Sequence, residues 1–235
     1  MTAKWLVGIL ITSTFWVQDF EDKHAQDRFR IDPATHKITS INGETVEQTV
    51  LLTIDDTPMV DTTQLILEIL SKYNVQAIFF INGYLFEDQE PMKEMVKEIH
   101  RRGHLIGNHS WSHTSFDELD STETVQEIEK LQNKVEELVG YRPHYFRPPY
   151  GQHNDYLMDI LADMNMQATN WTLMSYDWNF DETDDPDEIV ELTLDQLHDG
   201  ANMLFHDRKV SVKALERLLD KLIGRGYEFV LPEHP

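Results

Sequence analysis

Two histidines and a pair of adjacent aspartates are the residues of this sequence whose types and spacing can do chemistry. His109 and His113 are four positions apart in "GNHSWSHTS", a spacing that lets two imidazoles reach one ion from a tight loop or a helical turn. Asp55 and Asp56 stand side by side in "LLTIDDTP". Two imidazoles and one carboxylate make an open site for a catalytic divalent metal ion, with positions left for water.

The second aspartate of the pair has a use of its own in such a site. Adjacent strand residues point to opposite faces, so Asp55 and Asp56 are expected to have different tasks. One can ligate the ion while the other accepts a proton from water, whose pKa a bound dication lowers toward ~7. The competing interpretation of Asp-Asp-Thr-Pro is a simple turn. Together with the histidines, the pair predicts a metal-assisted hydrolase.

These residues need a scaffold that brings them to one place. From residue 49 onward, apolar strand patterns alternate with helical patterns. Such repeats predict an α/β fold with about seven parallel strands and right-handed crossovers, in a distorted or incomplete (β/α) barrel with a short N-terminal extension. The predicted strands are 49–54, 76–81, 104–109, 144–148, 166–171, 202–206 and 227–231, and the predicted helices lie near 61–73, 90–102, 122–139, 153–164, 186–199 and 209–223.

Several of the predicted strands end in polar side chains. In parallel barrels the catalytic groups lie at the carboxyl ends of the strands, which all meet at one rim. The sequence therefore predicts that five separate strand ends deliver functional groups to the same rim. These groups are Asp55 with Asp56, His109 with His113, Arg147 with Tyr150, Asp177 with Trp178, and His206 with Asp207.

Taken together, the five segments resemble the polysaccharide deacetylases that share the NodB homology domain, the fourth family of carbohydrate esterases. The resemblance extends over about residues 49–231, and its motifs occur in the order of the family. The family patterns T-F-D-D-G-P, H-[ST]-x-x-H, R-P-P-Y-G, W-x-x-D-x-x-D-W and L-x-H correspond here to Thr53–Pro58, His109–His113, Arg147–Gly151, Trp171–Trp178 and Leu204–His206.

The resemblance implies a metal site and a base. Asp56, His109 and His113 would be the ligands of one divalent ion, with zinc expected and cobalt, nickel or manganese as alternatives. Asp55 would be the general base. Arg147 would orient Asp55 and hold it ionised, because a neighbouring cation lowers the pKa of a carboxyl group.

The resemblance also implies residues that act on the acetyl group and on the departing amine. The backbone N–H of Tyr150 would stabilise the tetrahedral oxyanion, and His206 would be the acid that protonates the amine. Leu204 and Trp178 would line a small apolar slot for the acetyl methyl, with Tyr150 nearby. Asp177, beside Trp178, is assigned to the substrate-binding residues.

Two positions depart from the family pattern. Thr57 replaces the glycine after the aspartate pair, so this turn must avoid a positive φ at that residue or accept strain. Met174 stands where the pattern has an aspartate, which the resemblance pairs with His206. Without that carboxylate, His206 loses a partner that keeps it protonated, unless Asp177 or Asp207 replaces it. In the absence of such a replacement the acid would be weaker and the pH optimum lower, and in either case the metal site is expected to be unchanged.

The composition restricts the partners of the protein. The chain has 42 Asp+Glu against 20 Lys+Arg and a formal net charge of −22, which disfavours nucleic acid and anionic membrane surfaces. It has no cysteine, which excludes disulfides, thiolate ligands and cysteine nucleophiles. We expect no integral membrane domain, and we expect a monomer that acts on an acetylated polysaccharide or oligosaccharide.

Three segments divide the chain. In residues 1–20, Lys4 precedes an apolar run that is typical of a signal peptide or N-terminal anchor, and a first strand or helix of the domain is the alternative. Residues 21–48 contain the turn formers Asp32-Pro33 and Asn42-Gly43, which predict an N-terminal cap or hairpin. Residues 49–235 are the predicted catalytic domain. Export would make the protein secreted or associated with the cell envelope.

The residues and the resemblance together predict a metal-dependent enzyme that removes N-acetyl groups from an amino-sugar polymer such as peptidoglycan or a chitin-like glycan. An O-deacetylase acting on xylan or another acetylated glycan would use the same chemistry, and a hydrolase of small amides is a further alternative. A non-catalytic carbohydrate-binding protein on this scaffold is an alternative of a different class. The presence of Asp55, Arg147 and His206 argues against it, because binding alone needs none of them.

Overall fold

Ten strands and six α-helices make up the described part of the protein. The computed structural model describes residues 28–42 and 46–233, so the predicted signal peptide or anchor at residues 1–20 lies outside the described residues. No helix of this part is both long and apolar enough to cross a membrane. The strands are β1 (Phe29–Ile31), β2 (Ile38–Ser40), β3 (Thr49–Thr57), β4 (Ile78–Ile81), β5 (Leu105–Asn108), β6 (Tyr145–Phe146), β7 (Gln167–Ala168), β8 (Leu173–Met174), β9 (Ala201–His206) and β10 (Glu228–Phe229). The helices are α1 (Thr63–Tyr73), α2 (Glu90–Arg101), α3 (Ser121–Val139), α4 (Leu157–Asp163), α5 (Pro186–Asp195) and α6 (Lys209–Gly224).

Eight of the described strands form one parallel sheet. Its order is β7-β6-β5-β4-β3-β9-β8, and β10 pairs with the first residues of β3. The sheet curls into an incomplete barrel, which confirms the predicted fold class. The short strand β8 is the element that the sequence did not predict, because two residues are too few to show an alternating pattern.

Both faces of the central strand β3 are buried, one against helices and the other inside the barrel. Val50 and Ile54 pack against the helices that cover the outside of the sheet. Leu51, Thr53 and Asp55 point to the opposite side, the interior of the barrel, because side chains alternate along a strand. All of these positions are buried. The strand therefore places Asp55 inside the barrel, near the rim at the carboxyl end of β3.

The strands β1 and β2 form an antiparallel hairpin within residues 21–48. Ile31 and Ile38 of this hairpin are buried against Leu51 and Phe80 inside the barrel. The backbone N–H of Ile38 donates to the carbonyl of Gly200, just before β9, at 2.9 Å. The hairpin thus covers the barrel interior at the amino ends of the strands and leaves the carboxyl ends open.

Truncating the apolar contact of this hairpin should destabilise the whole domain. We expect Ile38→Ala to lower the free energy of unfolding by about 2–4 kcal/mol, because it leaves a cavity in a packed interior. Chemical denaturation monitored by circular dichroism measures the change. The matched control is Ile223→Ala, at an isoleucine that is 41% exposed, with an expected change within about 0.5 kcal/mol. Equal effects of the two substitutions would show that the hairpin does not contribute to the core.

Candidate active site

The rim of the barrel brings the three expected metal ligands together. Asp56 comes from the end of β3, and His109 and His113 follow β5. The ligand atoms of these residues all lie within 4.8 Å of one another. The Asp56 Oδ1 is 3.3 Å from the His113 Nε2 and 3.7 Å from the His109 Nε2. This spacing leaves room for one ion among the three side chains.

A backbone hydrogen bond fixes the tautomer of His109. Its Nδ1 lies 2.7 Å from the carbonyl oxygen of Arg147. A carbonyl only accepts hydrogen bonds, so Nδ1 carries the proton and Nε2 keeps its lone pair toward the ion site. Burial lowers the pKa of His109 to about 3, which keeps the imidazole neutral. A neutral imidazole with a free nitrogen is the form that binds a metal ion.

Several residues at this rim have left-handed backbone conformations. Asp56 has φ 59°, Ser110 φ 68°, His113 φ 59° and Tyr150 φ 60°. Each such non-glycine residue costs of the order of 1 kcal/mol or more and persists where the surroundings hold it in place. The turn after the aspartate pair takes its positive φ at Asp56, and Thr57 continues β3. Thr57 therefore needs no positive φ, and threonine is accommodated at this position without backbone strain.

Asp55 is paired with Arg147 inside the barrel. The Arg147 Nη1 donates to the Asp55 Oδ1 at 2.7 Å, and both side chains are buried. Burial raises the pKa of Asp55, and the neighbouring guanidinium opposes that rise. The cation therefore limits the rise but does not reverse it, and the pKa of Asp55 is raised overall by its burial.

The guanidinium of Arg147 donates hydrogen bonds to several buried acceptors. Besides Asp55, it donates to the Thr53 hydroxyl at 2.7 Å, the Thr169 carbonyl at 3.2 Å and the Asn170 carbonyl at 3.0 Å. The guanidinium also lies 4.2 Å from the centre of the Phe80 ring. A buried charge is tolerated when its donors are satisfied in this way. Arg147 thus connects β3 with the segment between β7 and β8.

Asp177 is the carboxylate partner of His206. Its Oδ1 lies 2.7 Å from the His206 Nδ1, and its Oδ2 accepts from the His206 backbone N–H at 2.8 Å and from the Ser211 hydroxyl. Burial disfavours the charge on Asp177, but these hydrogen bonds hold its pKa below the ordinary value. Burial also acts to lower the pKa of His206, and Asp177, Asp55 and Asp56 outweigh it, so that pKa is raised.

This geometry corrects one expectation from the sequence and decides another. Asp177 was expected to bind substrate, but its carboxylate is fully buried beneath His206. Of the two carboxylates that could replace the aspartate missing at Met174, Asp177 is the partner of His206, and Met174 lines the pocket. Asp207, the other candidate partner, accepts from the Thr63 hydroxyl. Burial and hydrogen-bond partners are not visible in a sequence pattern, which explains why the sequence left the partner of His206 open and assigned Asp177 to substrate binding.

A pocket of about 570 Å³ opens over these groups. Tyr150 and Trp178 line it with 65% and 38% of their surface exposed, and Leu204 lies at its buried end. The Tyr150 ring packs edge-to-face on His113 at 4.8 Å, and the Trp178 ring packs likewise on His206 at 5.3 Å. The pocket is therefore lined by three imidazoles, those of His109, His113 and His206, together with the aspartates and the aromatic rings.

Tyr84 is a pocket residue that the sequence reasoning missed. It follows β4, is 51% exposed and lines the same pocket. Burial of the phenol, with the nearby Asp56 and Tyr150, raises its pKa. The sequence does contain a signal for this residue, because Tyr84 comes just after the carboxyl end of the predicted strand 76–81. Applying the carboxyl-end rule to that strand as well would have found it.

Comparison with known proteins identifies one family. The family model described as polysaccharide deacetylase matches residues 42–169. Peptidoglycan-N-acetylmuramic acid deacetylase PdaC of Bacillus subtilis is 34% identical over 201 residues, which are 83% of this chain and 41% of that protein. This chain therefore spans less than half the length of that relative.

Two solved structures share the fold. A peptidoglycan N-acetylglucosamine deacetylase superposes with a TM-score of 0.74 at 30% identity, covering 80% of this chain and 87% of that one. A Bacillus anthracis protein described as a pseudoenzyme of carbohydrate esterase family 4 superposes with a TM-score of 0.72 at 28% identity, covering 80% of this chain and 64% of that one. The same scaffold thus occurs in a protein named as an enzyme and in one named as a pseudoenzyme.

Replacing Asp177 by asparagine should lower the pKa of His206. The substitution keeps the shape of the side chain but removes its charge, so burial acts on the imidazole with less opposition. An NMR titration of the His206 ring in wild type and Asp177→Asn measures the change. An unchanged pKa would contradict the assignment of Asp177 as the partner that keeps His206 protonated.

The same pair should stabilise the metal-free protein within a defined pH window. The raised His206 pKa gives stability that is complete below the ordinary value of 6.5 and is lost as pH rises through the folded-state pKa. The lowered Asp177 pKa gives stability that is complete above the ordinary value of 3.8 and is lost as pH falls through the folded-state pKa. The stability difference between wild type and Asp177→Asn should therefore be largest between these two ordinary values.

Proposed function

Because this chain belongs to the polysaccharide deacetylase family, we propose that it hydrolyses N-acetyl groups of an amino-sugar polymer, of the peptidoglycan or chitin-like type. The observation that supports this most directly is the meeting of three groups in one pocket. These are the cluster of Asp56, His109 and His113, the carboxylate of Asp55, and the imidazole of His206. Amide hydrolysis needs a water activated by metal and base, and a proton donor for the amine.

The proposed metal ligands are Asp56, His109 and His113. This set of two imidazoles and one carboxylate fits Zn²⁺, with Co²⁺, Ni²⁺ and Mn²⁺ as alternatives. The fit is supported by the close ligand atoms and by the Arg147 carbonyl, which leaves the His109 Nε2 free. When bound, the ion supplies Lewis-acid polarisation of the acetyl carbonyl and lowers the pKa of water.

Asp55 is the proposed general base. Its Oδ1 is held by Arg147, and its Oδ2 lies 3.6 Å from the His109 Nε2, on the side of the ligand cluster. One oxygen is therefore fixed by the cation, and the other is available to accept a proton from the attacking water. To accept this proton, the Asp55 Oδ2 must lie within hydrogen-bond distance of the water, whose position adjoins the ligand cluster.

His206 is the proposed general acid. Its Nδ1 is bonded to Asp177 and the residue lines the pocket, so its Nε2 is the nitrogen available to the substrate. The raised pKa of His206 favours the protonated form that this step needs. The proton passes to the amine nitrogen as the C–N bond breaks, and the products are acetate and a free amino sugar.

The acetyl group would bind between apolar side chains. Leu204, Trp178 and Met174 line the pocket, and they offer an apolar surface of the size that a methyl group needs. The proposed oxyanion donor is the backbone N–H of Tyr150, as the family resemblance implies, and the ring of this residue contacts the proposed ligand His113. Tyr150 thus has two proposed parts, its N–H in catalysis and its ring in substrate binding.

The substrate proposal also bears on where the protein acts. PdaC and the N-acetylglucosamine deacetylase are both named for peptidoglycan. Peptidoglycan lies outside the cytoplasmic membrane, so we propose that this chain is secreted or associated with the cell envelope.

A non-catalytic function is the second candidate, because one structural neighbour is described as a pseudoenzyme. A glycan-binding protein would need the exposed aromatic rings of the pocket but not the buried Asp55–Arg147 pair or the His206–Asp177 pair. The chain has both pairs in hydrogen-bonded geometry, which favours catalysis. An O-deacetylase would use the same residues, and the choice of substrate distinguishes it.

Acetate release from a panel of acetylated glycans tests the proposal. The metal-reconstituted protein should release acetate from N-acetylated amino-sugar polymers, and Asp55→Asn should reduce the rate about 10²–10⁴-fold, the usual contribution of a general base. Release from acetylated xylan alone would identify an O-deacetylase. Absence of release from every glycan, with binding retained, would identify a non-catalytic protein.

Metal binding can be tested separately from turnover. In calorimetric titration of the metal-free protein with Zn²⁺, His113→Ala should weaken binding more than about 100-fold, beyond the loss caused by removing outer hydrogen-bond partners of metal ligands. The matched control is His153→Ala, at an exposed histidine outside the pocket. Equal zinc affinity of His113→Ala and wild type would overturn the ligand assignment.

A further inference from the structure

A second cleft continues from the pocket of the proposed active site. It has a volume of about 540 Å³. Met59, Leu85, Asp207 and Arg208 line both the cleft and the pocket. A glycan chain with one sugar in the pocket can therefore extend a neighbouring unit or a substituent into this cleft. The residues shared by the two cavities are the ones that such a substituent must pass.

Arg208 is placed at this junction by its own contacts. It precedes the helix α6 as its N-cap residue. Its side chain is exposed, and its Nη2 donates to the carbonyl of Phe180, another residue of the cleft, at 3.1 Å. This bond holds the guanidinium beside the cleft and leaves its other N–H donors available. An arginine held in this way loses less conformational entropy when it binds a ligand.

The guanidinium of Arg208 forms no ion pair with any carboxylate in residues 28–42 and 46–233. Its neighbour Lys209, by contrast, pairs with Glu182 at 3.2 Å, and Arg217 pairs with Asp187 at 2.8 Å. The chain has 42 acidic residues and a net charge of −22, so carboxylates that could pair with an arginine at the mouth of the pocket are abundant. The charge of Arg208 is therefore not compensated by an ion pair with any described residue.

Three acidic side chains also line the cleft, and one of them is paired with a cation. Glu182 pairs with Lys209. The carboxylate of Asp207 is buried; its Oδ2 accepts from the Thr63 hydroxyl and the Met59 backbone N–H, and its Oδ1 has no hydrogen-bond partner within the described part of the chain. Asp61 is exposed. The cleft is thus not strongly basic, and its attraction for an anion is concentrated at Arg208.

The side of the proposed active site next to His113 and Tyr150 has no lysine or arginine among its described lining residues. A cavity lined by His113 and Tyr150 continues there, and its charged residues are Asp117 and Glu118. Both acids repel an anionic substituent that approaches from that side. The two sides of the groove therefore differ in charge, which gives a bound glycan a preferred direction.

We infer that Arg208 binds a carboxylate carried by the substrate next to the acetamido group that is hydrolysed. This inference rests on the proposed function and specifies its substrate class as an N-acetylated glycan with an anionic substituent. Two sources supply that chemistry in peptidoglycan: the lactyl carboxylate of a muramic acid unit and the carboxylates of an attached peptide. A planar guanidinium recognises a carboxylate through two parallel hydrogen bonds, which gives direction as well as charge.

The test compares three glycans of equal length with wild type and Arg208→Gln. The first carries a free lactyl carboxylate, the second carries the same group as a neutral methylamide, and the third carries a peptide with free carboxylates. Wild type should prefer the first or the third over the second. Arg208→Gln should lower kcat/KM on the preferred anionic glycan about 5- to 30-fold and change the neutral one less than about 2-fold.

Two control variants separate recognition from general charge effects. Arg225→Gln removes the same charge about 25 Å away, at the other end of α6, and should leave the preference unchanged. Arg208→Lys keeps the charge but not the paired donors, and should retain part of it. Raising the salt concentration should reduce the preference of wild type, because the guanidinium is exposed.

The outcomes separate this inference from the proposed function. Preference for the first glycan assigns the lactyl carboxylate, preference for the third assigns the peptide, and either one supports the inference if Arg208→Gln abolishes it. Equal rates on all three glycans, or a preference that Arg208→Gln retains, would overturn it. If wild type releases no acetate, the proposed function fails. Binding affinities of the same glycans to wild type and Arg208→Gln then decide the role of Arg208.

Discussion

The buried ion pair between Asp55 and Arg147 is the interaction on which the rest of this site depends. Removing two charges from water costs several kcal/mol for each ion, and the cost is recovered only with good geometry and satisfied hydrogen bonds. Here Arg147 meets Asp55 at 2.7 Å and also donates to Thr53, Thr169 and Asn170. These partners belong to β3, in the middle of the sheet order, and to the segment that joins β7 and β8, the strands at its two ends. The curl of the sheet into a barrel is what brings them around one guanidinium.

The same arginine couples the proposed base to the proposed metal site. Its side chain holds Asp55, and its backbone carbonyl accepts from the His109 Nδ1. A shift of Arg147 would therefore displace both groups together. The left-handed conformations of Asp56 and His113 need firm surroundings of this kind. Fixed distances between a metal ion and a base matter because an error of about 1 Å can cost 10²-fold in rate.

The sequence predicted the fold class and the residues at the rim, because both follow from repeated patterns. Alternating apolar strands and helices indicate a parallel barrel, and the carboxyl-end rule then selects Asp55, Asp56, His109 and His113. What the sequence did not predict depends on packing. The two-residue strand β8 has no period of its own, and the pairing of His206 with Asp177 depends on which carboxylate the fold buries. The proposed role of Arg208 in binding a substrate carboxylate likewise depends on packing, because it rests on the absence of an ion pair between Arg208 and any described carboxylate.

The energetics of the Asp55–Arg147 pair also bear on whether this protein is an enzyme. Replacing a buried ion pair with apolar side chains of similar volume is often neutral or stabilising by about 1–4 kcal/mol. Stability therefore does not explain why this barrel contains the pair, whereas the proposed roles of Asp55 as base and of the neighbouring cluster as metal site do. The same reasoning applies to Asp177, a fully buried carboxylate that is hydrogen-bonded to His206 and Ser211. A protein that only binds glycan would gain nothing from either arrangement, and the presence of both supports a catalytic function on this scaffold.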